Sequence, residues 1–110
     1  MALLPSLRQK KRYLVFEVIS QEKFSYPEIQ EEVHRAAHDF LGQLGLSKAG
    51  IIFLPEKWNA SEQRFLLKVN HTAVDEVKAA LLLSKKIKKA PIIIRSITVS
   101  GTLKKASSCL

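Results

Sequence analysis

KRYLVFEVISQEKFSYPEIQEEVHRAAHDFLGQLG, from Lys11 to Gly45, holds a strand and a helix end to end, and the rest of the chain is read outward from it. Lys11–Ser20 is dense in Tyr, Val, Ile and Phe, a strand composition. Alternation puts Leu14, Phe16 and Val18 on one face and Tyr13, Val15, Glu17 and Ile19 on the other. The carboxylate of Glu17 marks the second face as the less buried, although its other members are apolar enough to want a cover. Ser25-Tyr26-Pro27-Glu28 has the S-x-x-E spacing of a capping box with Pro near the first helical position. Ile29, Val33, Ala36 or Ala37, Phe40, Leu41 and Leu44 then recur every three or four residues, so one apolar stripe is expected, closed by Gly42 and Gly45.

Downstream the same logic gives a strand over Ala49–Leu54 ended by Pro55, a turn at Glu56–Ser61, and a strand over Gln63–Val69. Asn70 or Thr72 is the expected cap of a second helix, with Asp75 and Glu76 in its first turn and Val74, Val77, Ala80 or Leu81, and Ser84 facing inward. The Lys85–Lys89 run is read as a cationic helix end, Pro91–Val99 as a last strand and Leu103–Leu110 as a basic tail. The order is β-α-β-β-α-β. It predicts an α+β, ferredoxin-like (RRM-like) sandwich, an antiparallel sheet with two helices on one face. Residues 1–9 are expected to be a flexible basic arm, 10–103 a single domain and 104–110 a short basic tail. The last strand is expected at a sheet edge beside the second strand, apart from the first.

Composition narrows the function. With 110 residues and 46% apolar content the chain can build one packed core. No apolar run approaches a membrane span, and the first residues lack the pattern of a secretory signal, so a cytoplasmic protein with no membrane association is expected. Cys109 is the only cysteine, which excludes an internal disulfide and an all-cysteine metal site. Eighteen Lys and Arg against ten Asp and Glu give a net charge of +8. The excess is uneven: Ser84–Leu110 carries Lys85, Lys86, Lys88, Lys89, Arg95, Lys104 and Lys105 with no acid, the first twenty residues carry Arg8, Lys10, Lys11 and Arg12 against Glu17, and residues 21–47 are net acidic. Cationic chain ends of this kind point to a polyanion, whose phosphates exchange their counterions for Lys and Arg.

A catalytic constellation is not visible. His34 and His38 lie four apart on the first helix without a third ligand or the Glu of H-E-x-x-H, and read as a surface pair. The acids of that helix are explained by its dipole and by a Glu31–Arg35 pair. Nucleophile-elbow and phosphate-loop motifs are absent, and Gln21-Glu22-Lys23-Phe24 has no glycine to form an acylphosphatase-like cradle. The third strand, Arg64-Phe65-Leu66-Leu67-Lys68-Val69, lacks the base-stacking aromatics of an RNA-recognition motif, since Phe65 shares parity with Leu67 and Val69 and belongs to the core. Contacts to the RNA backbone from Arg8, Lys10, Lys11, Arg12, Lys85, Lys86, Lys88, Lys89, Arg95, Lys104 and Lys105 remain. Arg95 faces either an open sheet surface or Glu17. Tyr13, Val15, Ile19 and Trp58 are the candidates for a protein interface. A ferredoxin-like regulatory module binding a small ligand at a dimer interface is the alternative.

KKRYLVFEVIS (Lys10–Ser20), NHTAVDEVKAALLL (Asn70–Leu83) and IIIRSITVSGTLKK (Ile92–Lys105) resemble the archaeal ribonuclease P protein component 2, the Pop-five family. The likeness runs from about Lys10 to Lys105. It implies a non-catalytic subunit of a ribonucleoprotein that removes the 5′ leader of precursor tRNA, with catalysis and its magnesium on the RNA and no cofactor on the protein. Implied partners are the ribonuclease P RNA, precursor tRNA, the TIM-barrel-like protein component 3 and other protein components, with a homodimer possible. The Ile51-Ile52-Phe53-Leu54-Pro55 stretch and the Ala-Ser-Ser-Cys-Leu ending depart from the family's pattern.

Overall fold

The protein is described here by a computed structural model covering residues 10–110. The expected arm over residues 1–9, Arg8 included, lies outside the described residues. Strand β1 (Lys11–Ile19) leads into helix α1 (Tyr26–Ala49), a two-residue strand β2 (Ile52–Phe53) and β3 (Arg64–Asn70). Helix α2 (Val74–Leu82), a small hairpin of β4 (Lys86–Ile87) and β5 (Ala90–Pro91), strand β6 (Ile93–Ser100) and a short helix α3 (Leu103–Ser107) follow. The main sheet is antiparallel with the order β2-β3-β1-β6. The ferredoxin-like class is thus as expected, but the last long strand pairs with β1, not β2. That placement follows from the core: β1 is the most apolar strand, buried on both faces, and it needs a partner on each edge.

Two cores flank the sheet. On the helix side Leu14, Phe16, Val18, Phe65, Leu67, Val69 and Ile94 meet Ile29 and Val33 of α1 and Val77, Ala80 and Leu81 of α2. Phe16 and Phe65, paired across β1 and β3, stack with ring centroids 5.6 Å apart. On the other side Val15 and Leu66 are fully buried beneath Ala106, with Tyr13, Leu54, Ile97, Cys109 and Leu110 packed around them. The segment read as a basic tail is therefore a helix and a lid. Ala106, Cys109 and Leu110 supply an apolar side that a reading by charge alone overlooks. Thr102 caps it, accepting from the Lys105 amide at 3.4 Å.

Helix α1 begins at the expected capping box, with the Glu28 carboxylate accepting from the Ser25 amide. It does not end at Gly42 or Gly45. Gly42 breaks it with φ 73° and ψ 174°, a conformation open essentially to glycine alone, and the helix then resumes to Ala49. Past that break the stripe no longer faces the sheet, so Leu44 is 69% exposed, and Phe40 just before it is 48% exposed. The true stop is Gly50, at φ 60°. Because Ala49 belongs to the helix, the expected Ala49–Leu54 strand shrinks to two residues. Arg35 pairs with Glu32 and Asp39, at 2.6 and 2.7 Å, in place of Glu31.

Asn70 caps neither helix in the expected way. Its amide donates to the Lys48 carbonyl at 2.6 Å, and its oxygen accepts from the Lys11 ammonium. A Cβ on Gly50 would stand 2.9 Å from Asn70 Nδ2, so the approach itself requires glycine. Gln63, buried and at φ 51°, organises the β1–α1 loop: its oxygen accepts from the Phe24 amide at 2.7 Å. With that amide occupied, the loop offers no phosphate cradle, in keeping with the absence of glycine there.

Candidate nucleic-acid interface

Antiparallel pairing decides which cations meet. Lys11 lies opposite Asn70 and Tyr13 opposite Ser100, so the start of β1, the end of β3 and the end of β6 share one end of the sheet. Lys10, Lys11 and Arg12 enter there and Lys104 and Lys105 leave there, on the first turns of α3. The Arg12 guanidinium reaches that junction, since a Cβ built on Gly101 would lie 3.8 Å from its Nη1. Lys68, which was not among the expected cations, joins from β3 with its ammonium 5.8 Å above the Tyr13 ring. The strand register could have revealed it, because Tyr13 and Lys68 are directly opposed.

Nothing acidic among the described residues is paired with the cations of this end. Among the described residues, Lys10, Lys11, Arg12, Lys68, Lys104 and Lys105 take part in no ion pair, whereas Arg35, Arg64, Lys88 and Arg95 do. Lys10 is anchored through its backbone, its carbonyl accepting from the His71 amide at 2.8 Å. Lys11 is steadied by Asn70. The result is an unneutralised cationic end on a rigid frame, able to hold phosphate oxygens without reading bases.

Arg95 resolves toward Glu17. Its Nη2 lies 2.7 Å from Glu17 Oε1 while Arg64 Nε lies 2.9 Å from Glu17 Oε2, so one carboxylate bridges two strands on the α3 side of the sheet. The Arg64 hydrogen bond, aided by the charge of Arg95, holds the Glu17 carboxyl below the usual carboxylate range against the opposing effect of burial. Arg64 Nη1 also donates to the Cys109 carbonyl at 2.9 Å, fastening the lid. Lys85, Lys86, Lys88 and Lys89 sit elsewhere. They form the β4–β5 hairpin that leads into the start of β6, at the far end from Lys104. The segment is a hairpin and not a helix end, because Ile87 and Ile92 pull it into the core.

The interface candidates separate in the same way. Val15 is sealed under α3, and Tyr13 packs at the rim of that second core. Trp58 is not a free anchor: it lies against Tyr26, ring centroids 5.6 Å apart, at the border of the main core. Ile19 stays exposed, paired with the exposed Ile93. Apolar surface that sequence reasoning missed lies on the helix layer, where Phe40 and Leu83 flank one cleft between α1 and α2. His34 and His38 are exposed and line a groove of about 540 Å³ with Pro27, Gln30, Glu31 and Phe53. Among the described residues no group of three or more His, Cys, Asp or Glu is placed to hold a metal ion, and no helix is long and apolar enough to cross a membrane.

Comparison with known proteins gives a consistent picture. The sequence model of the Rpp14/Pop5 family matches residues 12–110. Ribonuclease P protein component 2 of Thermococcus kodakarensis is 35% identical over 103 residues, covering 94% of this chain and 84% of that protein. The protein of the same name from Methanosarcina mazei is 36% identical over 105 residues, covering 96% and 87%. That from Pyrococcus furiosus is 36% identical over 103 residues, covering 94% and 84%. Among solved structures, a chain in the cryo-EM structure of yeast ribonuclease MRP shares the fold with a TM-score of 0.68 at 12% identity, over 87% of this chain and 77% of that one.

Proposed function

Because the chain belongs to the Rpp14/Pop5 family, we propose that it is an RNA-binding protein subunit of ribonuclease P, which supports the catalytic RNA in removing the 5′ leader of precursor tRNA. The observation that carries the RNA contact is the β1–β6 register, which joins Lys10, Lys11 and Arg12 to Lys104 and Lys105 on one end without an opposing carboxylate among the described residues. Such a surface contributes affinity through counterion release and positions a folded RNA through its backbone. Arg95 adds little to it, since its charge is already committed to Glu17. Protein partners, component 3 among them, are expected on the helix layer around Phe40 and Leu83, and the particle is expected in the cytoplasm.

Lys104→Ala with Lys105→Ala tests the reading. Both side chains are exposed, so circular dichroism should show an intact fold. Binding of the ribonuclease P RNA should weaken, and the slope of log K against log salt should fall by about 0.7–0.9 for each lost contact. An unchanged slope would remove this end from the interface.

Catalysis is assigned to the RNA, with its magnesium ions, and not to this chain. The purified protein, freed of RNA, should leave precursor tRNA intact on a gel. Cleavage that His34→Ala plus His38→Ala abolishes would overturn that assignment.

A further inference from the structure

The β4–β5 hairpin turns through two residues only, with Ile87 paired to Ala90 across Lys88 and Lys89. Lys88 stands at φ 49° and Lys89 at φ 75°. Positive φ at both central residues is the mark of a type I′ turn, which favours Asn-Gly because a Cβ is disfavoured there. Two lysines are a poor choice for this turn on conformational grounds, and the turn has not relaxed. Ile87 and Ile92, both buried in the main core, clamp its two arms, and the Ile92 amide donates to the Lys85 carbonyl at 2.9 Å. The tip is therefore a rigid finger that holds Lys88 and Lys89 outward, with Lys85 and Lys86 at its base.

Acids stand on one side of it, since Lys88 shares a cleft with Glu28, Glu31 and Glu32, while the remaining cations of the hairpin are unpaired among the described residues. Lys88 touches Glu28 at 3.3 Å but remains 73% exposed, and an ion pair of that exposure is heavily screened. Glu22 lines the same cleft as Lys88 and Lys89. Among the described residues Lys85, Lys86 and Lys89 take part in no ion pair. Strained backbone that the surrounding fold enforces argues for a role of the side chains it presents.

We infer that the Lys88–Lys89 tip is a second phosphate-contacting site, which grips a separate segment of RNA backbone from the opposite end of the domain. This deepens the proposed function and rests on it. Strand β6 has eight residues and separates the finger from Lys104 and Lys105 by about 25 Å at roughly 3.3 Å per residue. The two cationic ends cannot hold neighbouring phosphates, so the protein braces two stretches of a folded RNA. A preorganised finger also loses less side-chain and loop freedom on binding than a mobile basic tail.

The test replaces Lys88→Asn with Lys89→Gly in the full chain and uses the ribonuclease P RNA as probe. Relief of the turn should raise the melting temperature by about 5 °C. Affinity for the RNA should nevertheless fall about three- to tenfold, and the salt slope should drop by about 1.5 for two lost contacts. Lys88→Gln with Lys89→Gln keeps the strain and removes the charge, so it should weaken binding equally with no gain in melting temperature. A more stable Asn-Gly variant with unchanged affinity and slope overturns the inference, and so does an Asn-Gly variant no more stable than the parent. If affinity is unchanged in both hairpin variants while the Lys104 and Lys105 double variant is weakened, only the finger fails. If the parent shows no salt-sensitive binding, the underlying reading fails with it.

Discussion

Removing everything after Gly101 should lower the unfolding free energy by about 3 kcal/mol and make the protein more prone to self-associate. Val15 and Leu66 are fully buried, and α3 with Cys109 and Leu110 is what covers them. Burying an aliphatic side chain of this size contributes about 1.5–3 kcal/mol. Without the lid, Tyr13, Val15, Leu66 and Ile97 would join into an apolar strip along the sheet. Against a total stability of about 5–15 kcal/mol for a domain of this size, the truncated chain would be marginal. Urea midpoints and light scattering measure both effects. An unaltered midpoint would mean that the lid rests on the sheet without holding it.

Glu17→Gln should cost about 2 kcal/mol at neutral pH, because it strands the two guanidiniums that the carboxylate joins. The figure lies below that for a fully buried pair, since Arg95 is largely exposed and solvent screens it. The same substitution makes a pH prediction. The Arg64 hydrogen bond and the Arg95 charge hold the folded carboxyl below its ordinary value of 4.5. The unfolded chain therefore takes up the proton first as pH falls. The contribution is present above about pH 4.5 and is lost as pH drops through the folded-state value. Parent and Glu17→Gln proteins should differ most in urea midpoint near pH 7 and draw together as pH falls below 4.5. A gap that stays constant across that range would show that the pairing is not what Glu17 contributes.

The parts legible in the sequence are those with strong periodicity. Leu14, Phe16 and Val18 announced the inner face of β1, Ile29 and Val33 the inner face of α1, and Phe65 its place in the core. Ser25 and Glu28 marked where α1 begins. Its end was hidden because the sequence carries three glycines within nine residues, at 42, 45 and 50. Only the position beside Asn70, which no local pattern shows, needs a left-handed stop with no Cβ. The apolar side of Leu103–Leu110 was masked by Lys104 and Lys105, since five helical residues are too few for a period to stand out.

For the site, the cationic composition was legible, and the strand pairing that brings the two chain ends together was not. Lys104 and Lys11 are joined by strand pairing, and the pairing could not be read from spacing. Placing the last strand beside the second would have left the two clusters on strands that do not touch, while in the observed order those strands are paired. Glu17 illustrates the same limit from the other side. Its conflict with an apolar face was visible, but its two partners stand on different strands, at 64 and 95.

The adjacency of β1 and β6 has a consequence for how the chain is made. Synthesis proceeds from the N-terminus, and β1 emerges more than seventy residues before the strand that completes its second edge. Until Ser100 has cleared the ribosome, the central strand of the sheet has one open side, and Val15 and Leu66 wait longer still for Ala106. The cationic end is divided in the same way, half encoded at the start of the domain and half at its close. A nascent or clipped chain thus presents neither a closed sheet nor the full charge cluster. Only a finished domain carries the whole of this cationic end.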